Sequence, residues 1–149
     1  MAEPGHKRAD EHQRKKSLGE AEEWLRQLID NVEDYGVFLL DRDARVMSWN
    51  AGVQQLLGYD SAAFLGLPFT QLFRPHHRAA AQGDIDRART AGRSKKHRSH
   101  VGKDGREVSV RGVLMALWDP DHQLRGYAYM MLWDARHRGR FGPRGARGA

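Results

Sequence analysis

Histidine supplies the most versatile chemistry in this chain, and four of its eight histidines stand in two local groups. His76 and His77 follow Pro75 directly, and His97 and His100 sit in a run of cations, Lys95-Lys96-His97-Arg98. A neutral imidazole can hold a metal or carry a proton near neutral pH. Spacing argues against a metal at the second group. Residues three apart on a strand point to opposite faces, and the surrounding cations repel a metal ion. As a basic cluster, Lys95 to Arg98 could meet an anionic partner. The plainer reading is a solvated edge strand whose lysines guard against sheet-to-sheet pairing. His76 and His77, beside Arg78, read as surface groups at a helix start.

Other catalytic signals are missing. The chain has no Gly-rich phosphate loop, no HExxH and no nucleophile elbow, and no spacing argues for a Ser-His-Asp set. It is expected not to be an enzyme. There are no cysteines, which excludes disulfides, thiolate metal sites and cysteine nucleophiles and suits a reducing cytosol. With 149 residues, 40% hydrophobic and 30% charged, the chain holds one core of ordinary size. No apolar run approaches the ~20 residues of a membrane span, and no signal-peptide pattern opens the chain. A cytoplasmic setting is the expectation.

The net charge of +6 raises the question of nucleic acid. Its excess lies in the ends. Arg136, Arg138, Arg140, Arg144 and Arg147 follow Asp134 without an acid, and Lys7, Arg8, Arg14, Lys15 and Lys16 are offset by Glu3, Asp10 and Glu11. Such tails can hold phosphate backbones loosely, and otherwise serve as solvated arms. The expected organisation is a disordered basic arm over 1–16, a flanking helix over 17–34, a domain over 35–136 and a disordered Arg/Gly-rich tail over 137–149.

The elements that must position any site can be read in order. Ser17 is a helix N-cap with Glu20 as its capping-box partner. Leu18, Ala21, Leu25, Leu28 and Val32 then form an apolar seam of about two heptads, widened by Trp24 and Ile29, with Glu22 and Arg26 placed for an i,i+4 pair. Gly36 to Leu40 reads as a buried strand, Asp41 to Arg45 as a turn, and Val46 to Trp49 as a second strand. Asn50 caps a short helix, Ala51 to Leu57, that Gly58 closes. Ser61–Leu65 and Pro68–Phe73 are short helical turns, and Pro75 to Ala91 is a longer helix ended by Gly92. Three strands follow: Ser94 to Val101, a stretch through Val108 to Trp118 after the Lys103-Asp104-Gly105 turn, and Gly126 to Trp133.

The stretch GVFLLDRDARVMSWNAGVQQLLGY (Gly36 to Tyr59), followed by SAAFLGLPFTQLF, closely resembles the start of a PAS domain, and the later order of elements extends the resemblance over roughly Leu25 to Arg136. It implies an α+β fold: a five-stranded antiparallel sheet, small helices on one face and an N-terminal flanking helix. It also implies a non-enzymatic sensory or regulatory module of bacterial-type signal transduction, acting as a homodimer or with a partner such as a histidine kinase. Alternatives are a ligand-binding sensor for haem, flavin or a small metabolite, and nucleic-acid association through the basic tail. The implied pocket is bounded by Trp49, Leu57, Phe64, Leu72, Ile85 and Val110, with His76 and His77 as haem candidates. In oxygen-sensing relatives the long helix carries the haem histidine, and the matching position here is Ala81, so His76 and His77 fall about a turn early. Without cysteine a flavin–cysteinyl adduct is excluded, and no cofactor is the leading expectation. Asp134-Ala135-Arg136 resembles the family's Asp-x-Thr turn, with Arg136 replacing threonine. The later halves of the last two strands are apolar on both faces, so something must cover the outer one. The flanking helix, from the same chain or a partner, is the expected cover. The interface residues are therefore Leu18, Ala21, Trp24, Leu25, Leu28, Ile29, Val32, Met115, Leu117 and Met130. The module is expected to stand alone or to be a fragment of something longer.

Overall fold

The computed structural model describes residues 4–133. The chain divides into two compact units, residues 1–31 and the remainder from Val32 onward. The expected tail over 137–149 and the Asp134–Arg136 turn lie outside the described residues.

The first unit is one helix, α1, Pro4–Asn31. It begins well before Ser17, so the expected cap there does not form and the polar stretch ahead of it is helical rather than a flexible arm. The reason is composition: Lys, Arg, Ala, Glu and Gln dominate that stretch, all of them good helix formers, and Pro4 suits a first turn. Arg26 pairs with Glu23 one turn back rather than with Glu22. Val32 lies just past the helix.

In the second unit the sheet is built from β1 (Tyr35–Leu40), β2 (Arg93–Val101), β3 (Glu107–Trp118) and β4 (Leu124–Trp133), ordered β1-β4-β3-β2 with every neighbour antiparallel. Among the described residues the sheet has four strands, not the five expected. Val46 to Trp49 runs beside β1 without joining it as a ladder. Met47 N–H donates to Leu39 O (2.8 Å), but Leu39 N–H donates to the Ser48 hydroxyl (2.8 Å) in place of a carbonyl. Val46 turns its own amide to Leu67 O (2.9 Å) and accepts from Gly66 N–H (2.8 Å). Shared between β1 and this loop, the segment keeps only isolated bridges, Leu40 to Val46 and Arg45 to Pro68.

Helices α2 (Ala51–Leu57) and α3 (Ser61–Phe64), a 3-10 turn at Phe69–Leu72, another at Pro75–His77 and α4 (Arg78–Ala91) fall where the sequence places them. Local chemistry explains this. Asn50 caps α2 by accepting from Val53 N–H, Asp60 caps α3, and Gly58 and Gly92 end their helices at positive φ. Asn50 does more than cap. Fully buried, its Oδ1 also accepts from Val37 N–H (2.9 Å), and its Nδ2 donates to Val32 O (3.1 Å) and Tyr35 O (2.9 Å). With two acceptor and two donor bonds the amide is saturated, and it pins β1 to α2.

The inner sheet face and the helices enclose one core, with Phe38, Phe64, Phe69, Phe73, Tyr127, Tyr129 and Met131 among its largest side chains. The buried stripe of α4 is Ala81, Asp84, Ile85 and Ala88, spaced at helical period. Gly83 faces solvent on that helix, and an added methyl there meets nothing within 4 Å. Gly83→Ala should therefore stabilise the domain by about 0.5–1 kcal/mol through helix propensity, read as a higher midpoint in urea unfolding.

Candidate functional site

Polarity buried in this core concentrates where α4, β2 and β4 meet. Inner-face positions of β2 come at every second residue: Ser94, Arg98 and His100 all turn toward α4 and β4, while His97 faces outward and is exposed. The two histidines thus lie on opposite faces, as their spacing requires. What the cationic run concealed is that the strand's inner side is the polar wall of the interior.

His100 is completely buried. Its Nδ1 lies 3.2 Å from Leu72 O and its Nε2 lies 2.8 Å from the Tyr129 hydroxyl. A carbonyl can only accept, so Nδ1 carries the proton, and Nε2 accepts from the Tyr129 O–H. Burial, aided by the Arg98 charge, lowers the His100 pKa to about 4, against the opposing pull of the Leu72 hydrogen bond and Asp84. The imidazole is neutral at pH 7. Burial and the Asp84 carboxylate push the Tyr129 phenol upward, so it too stays uncharged. Aromatic rings close around the pair: Phe73 lies 4.4 Å from the imidazole, and Phe69 and Phe38 lie 4.8 and 5.5 Å from the Tyr129 ring, centroid to centroid. Gly112 makes the space, because a Cβ there would lie 2.0 Å from the Tyr129 hydroxyl oxygen.

Beside this pair, Arg98 grips Asp84 with two parallel bonds, Nε to Oδ2 at 2.7 Å and Nη2 to Oδ1 at 2.8 Å. Ser94 Oγ adds a third at 3.3 Å. The Asp84 hydrogen bond is the main reason that the Arg98 pKa is raised. Asp84 with Arg98 ties α4 to β2, and His100 with Tyr129 and Leu72 ties β2 to β4 and the 3-10 turn. Every polar group of the histidine–tyrosine pair finds its partner inside the protein.

The sequence-expected pocket residues partly converge on this interior. Leu57, Phe64, Leu72, Ile85 and Val110 are buried in the same core, and Trp49 packs against it with its indole N–H on Tyr59 O (2.8 Å). His76 and His77 are not brought to it. They lie on the 3-10 turn before α4, one exposed and one half-exposed, with rings 4.1 Å apart. Haem does not fit this interior: Ala81 offers a buried methyl at the helix position, and both nitrogens of His100 are already engaged.

These residues are framed by a matching family model. The model of the PAS fold covers residues 30–138. The chain belongs to the PAS fold family. Among solved structures, the PAS domain of a protein from Colwellia psychrerythraea superposes with a TM-score of 0.71 at 17% identity, covering 76% of this chain and 97% of that one. The PAS domain of the HTR-like protein from Haloarcula marismortui gives a TM-score of 0.63 at 21% identity, over 80% of this chain and 96% of that one. These are likenesses of fold. A curated relative, Two-component system protein A of Emericella nidulans, is 39% identical over 51 residues, which is 34% of this chain and only 8% of that protein.

Sequence reasoning missed Asp84, Arg98, His100 and Tyr129 as a set. One signal was present: Asp84 falls on the α4 stripe between Ala81, Ile85 and Ala88, and a carboxylate on a buried stripe needs a cation facing it.

Proposed function

We propose that this PAS module is a sensory or regulatory component of signal transduction that works by pairing, as a homodimer or with a signalling protein such as a histidine kinase, and not by catalysis. The observation that carries this reading is the apolar seam of α1. Leu18, Trp24, Leu25 and Leu28 are 57–71% exposed, on a helix whose remaining surface is polar. Such a stripe is stable in water only when a second surface covers it. The matching helix of another copy fits the two-heptad spacing. The name of the fungal relative places related sequence in a two-component system, which supports the same reading. So does an interior packed with the protein's own aromatic rings.

Mechanistically, the polar network gives the module a lever. A shift of α4 moves Asp84, and with it Arg98, His100 and β2, and the change passes along β3 and β4 to an outer face that carries Met115, Leu117 and Met130. Leu25→Glu with Leu28→Glu places two charges in the seam and should yield a monomer in light scattering with the circular dichroism of the domain intact. An unchanged dimer mass would remove α1 as the pairing element.

A further inference from the structure

The two edges of the sheet are unlike. Along β1 the outward backbone groups are already taken. Val37 N–H donates to Asn50 Oδ1 (2.9 Å) and Leu39 N–H to the Ser48 hydroxyl (2.8 Å). Leu39 O accepts from Met47 N–H (2.8 Å), and Tyr35 O from Asn50 Nδ2 (2.9 Å). The opposite edge is β2, last in the order β1-β4-β3-β2. Two bonds flanking its ladder with β3 fix which of its backbone groups face outward. Ala116 N–H donates to Gly92 O (3.0 Å), and Gly102 N–H donates to Arg106 O (2.8 Å). Hydrogen-bonded pairs recur at every second residue of an antiparallel ladder, so even-numbered Ser94, Lys96, Arg98 and His100 bond to β3. Odd-numbered Arg93, Lys95, Ser99 and Val101 turn their N–H and C=O groups to the open edge. Arg93, Lys95 and Lys96 are exposed, and among the described residues none of these three cations sits in an ion pair.

We infer that the open edge of β2 takes an extended, acidic segment of a partner protein as an added strand. Such a segment belongs to the partner of the proposed function, and the inference rests on that reading. A row of alternating donors and acceptors is matched by another peptide backbone, whereas the phosphates of a nucleic acid offer acceptors alone. Charge decides which backbone. β2 carries Arg93, Lys95, Lys96 and Arg98 and no acid, so a second copy of the same strand is repelled. The cations that keep this edge from pairing with itself therefore select a strand of opposite sign. Spacing follows from the strand itself. Same-face residues recur at about 6.8 Å, so acids at alternate positions of the added strand stand directly beside Arg93 and Lys95. The 9 residues of β2 give room for a strand of ordinary length.

The test uses the full chain and labelled peptides of about nine residues, alternating threonine with glutamate in one and with lysine in the other. The glutamate peptide should bind at least about tenfold tighter, and Arg93→Glu with Lys95→Glu should invert that preference. Both sites are exposed, so the fold is not at stake. N-methylation of the glutamate peptide at alternate residues separates strand addition from simple charge attraction. Methyl groups on one parity remove the N–H groups that face β2 and should abolish binding; on the other parity they should leave it. Ser99→Pro makes the same test on the protein, because it removes an outward N–H and no bond to β3, and should weaken the glutamate peptide about fivefold. Running the titrations on Leu25→Glu/Leu28→Glu separates this outcome from the fate of the α1 seam: retained preference supports strand addition even if the protein is a monomer. Equal binding of the glutamate and lysine peptides, binding of neither, or a like response to both methylation patterns would overturn it. So would displacement of the glutamate peptide by a thymidine oligonucleotide at lower concentration than by unlabelled peptide, which would assign the edge to nucleic acid. Loss of a dimer on Ser99→Pro would assign the edge to a second copy and overturn it as well.

Discussion

Gly52→Ala is expected to cost the domain about 3 kcal/mol or more, a large share of the ~5–15 kcal/mol that holds a domain of this size folded. A Cβ at position 52 would lie 1.8 Å from Tyr35 O, 2.4 Å from its carbonyl carbon and 2.9 Å from Gly36 N. These are backbone atoms of β1, so no rotamer change relieves the clash, and α2 must move away from the strand. That movement breaks what Asn50 holds together, since its bonds to Val37 N–H and Tyr35 O span the same gap. Buried amide groups left unpaired add about 1–3 kcal/mol each. The loss should appear as a collapse of the urea midpoint, in contrast to the gain at Gly83. A Gly52→Ala variant with a near-native midpoint would show that the β1–α2 contact is looser than described.

Acid should weaken the protein through His100, and in a defined window. Its pKa falls from 6.5 to about 4 on folding because the neutral imidazole is sealed between Leu72 O and Tyr129. A depressed pKa means that the unfolded chain binds the proton first. Stability is therefore complete above pH 6.5 and declines as the pH falls toward 4, where about 3 kcal/mol has been lost. The charged groups facing the ring are Arg98, whose charge deepens the shift, and Asp84, which opposes it. Urea unfolding from pH 7 to 4 should show this slope in the native protein and lose it in His100→Leu. A variant that keeps the slope would place its origin elsewhere.

Much of this fold was legible in the sequence, and its limits have physical causes. Asn50, Gly58 and Gly92 act on backbone groups within a few residues, so the helices they bound could be read in place. Alternation along β3 and β4 places Val110, Leu114, Tyr127 and Tyr129 on the inner face and Met115 and Met130 on the outer, because a pleated strand fixes that parity. Val46 to Trp49 failed as a strand because Val46 donates its N–H to Leu67 O and accepts from Gly66 N–H, partners that only the folded chain brings near. The start of α1 was hidden by the absence of apolar period in a stretch that is helical by propensity alone. The interior site was hardest. Lys95, Lys96 and Arg98 look alike in sequence, yet Arg98 alone is tied to Asp84, and His100 meets Tyr129 across β3, a pairing set by sheet order.

Pairing, with the interior filled by the protein's own side chains, is what is proposed for this PAS module. The most direct measurement is the mass of the freshly purified full chain on a light-scattering column, with absorbance read from the ultraviolet through the visible across the peak. Pairing predicts a dimer, twice the 17.0 kDa of the chain, with only the absorption of its aromatic residues. A monomer of 17.0 kDa carrying a Soret or flavin band would contradict it and make the interior, rather than the pairing surfaces, the seat of function.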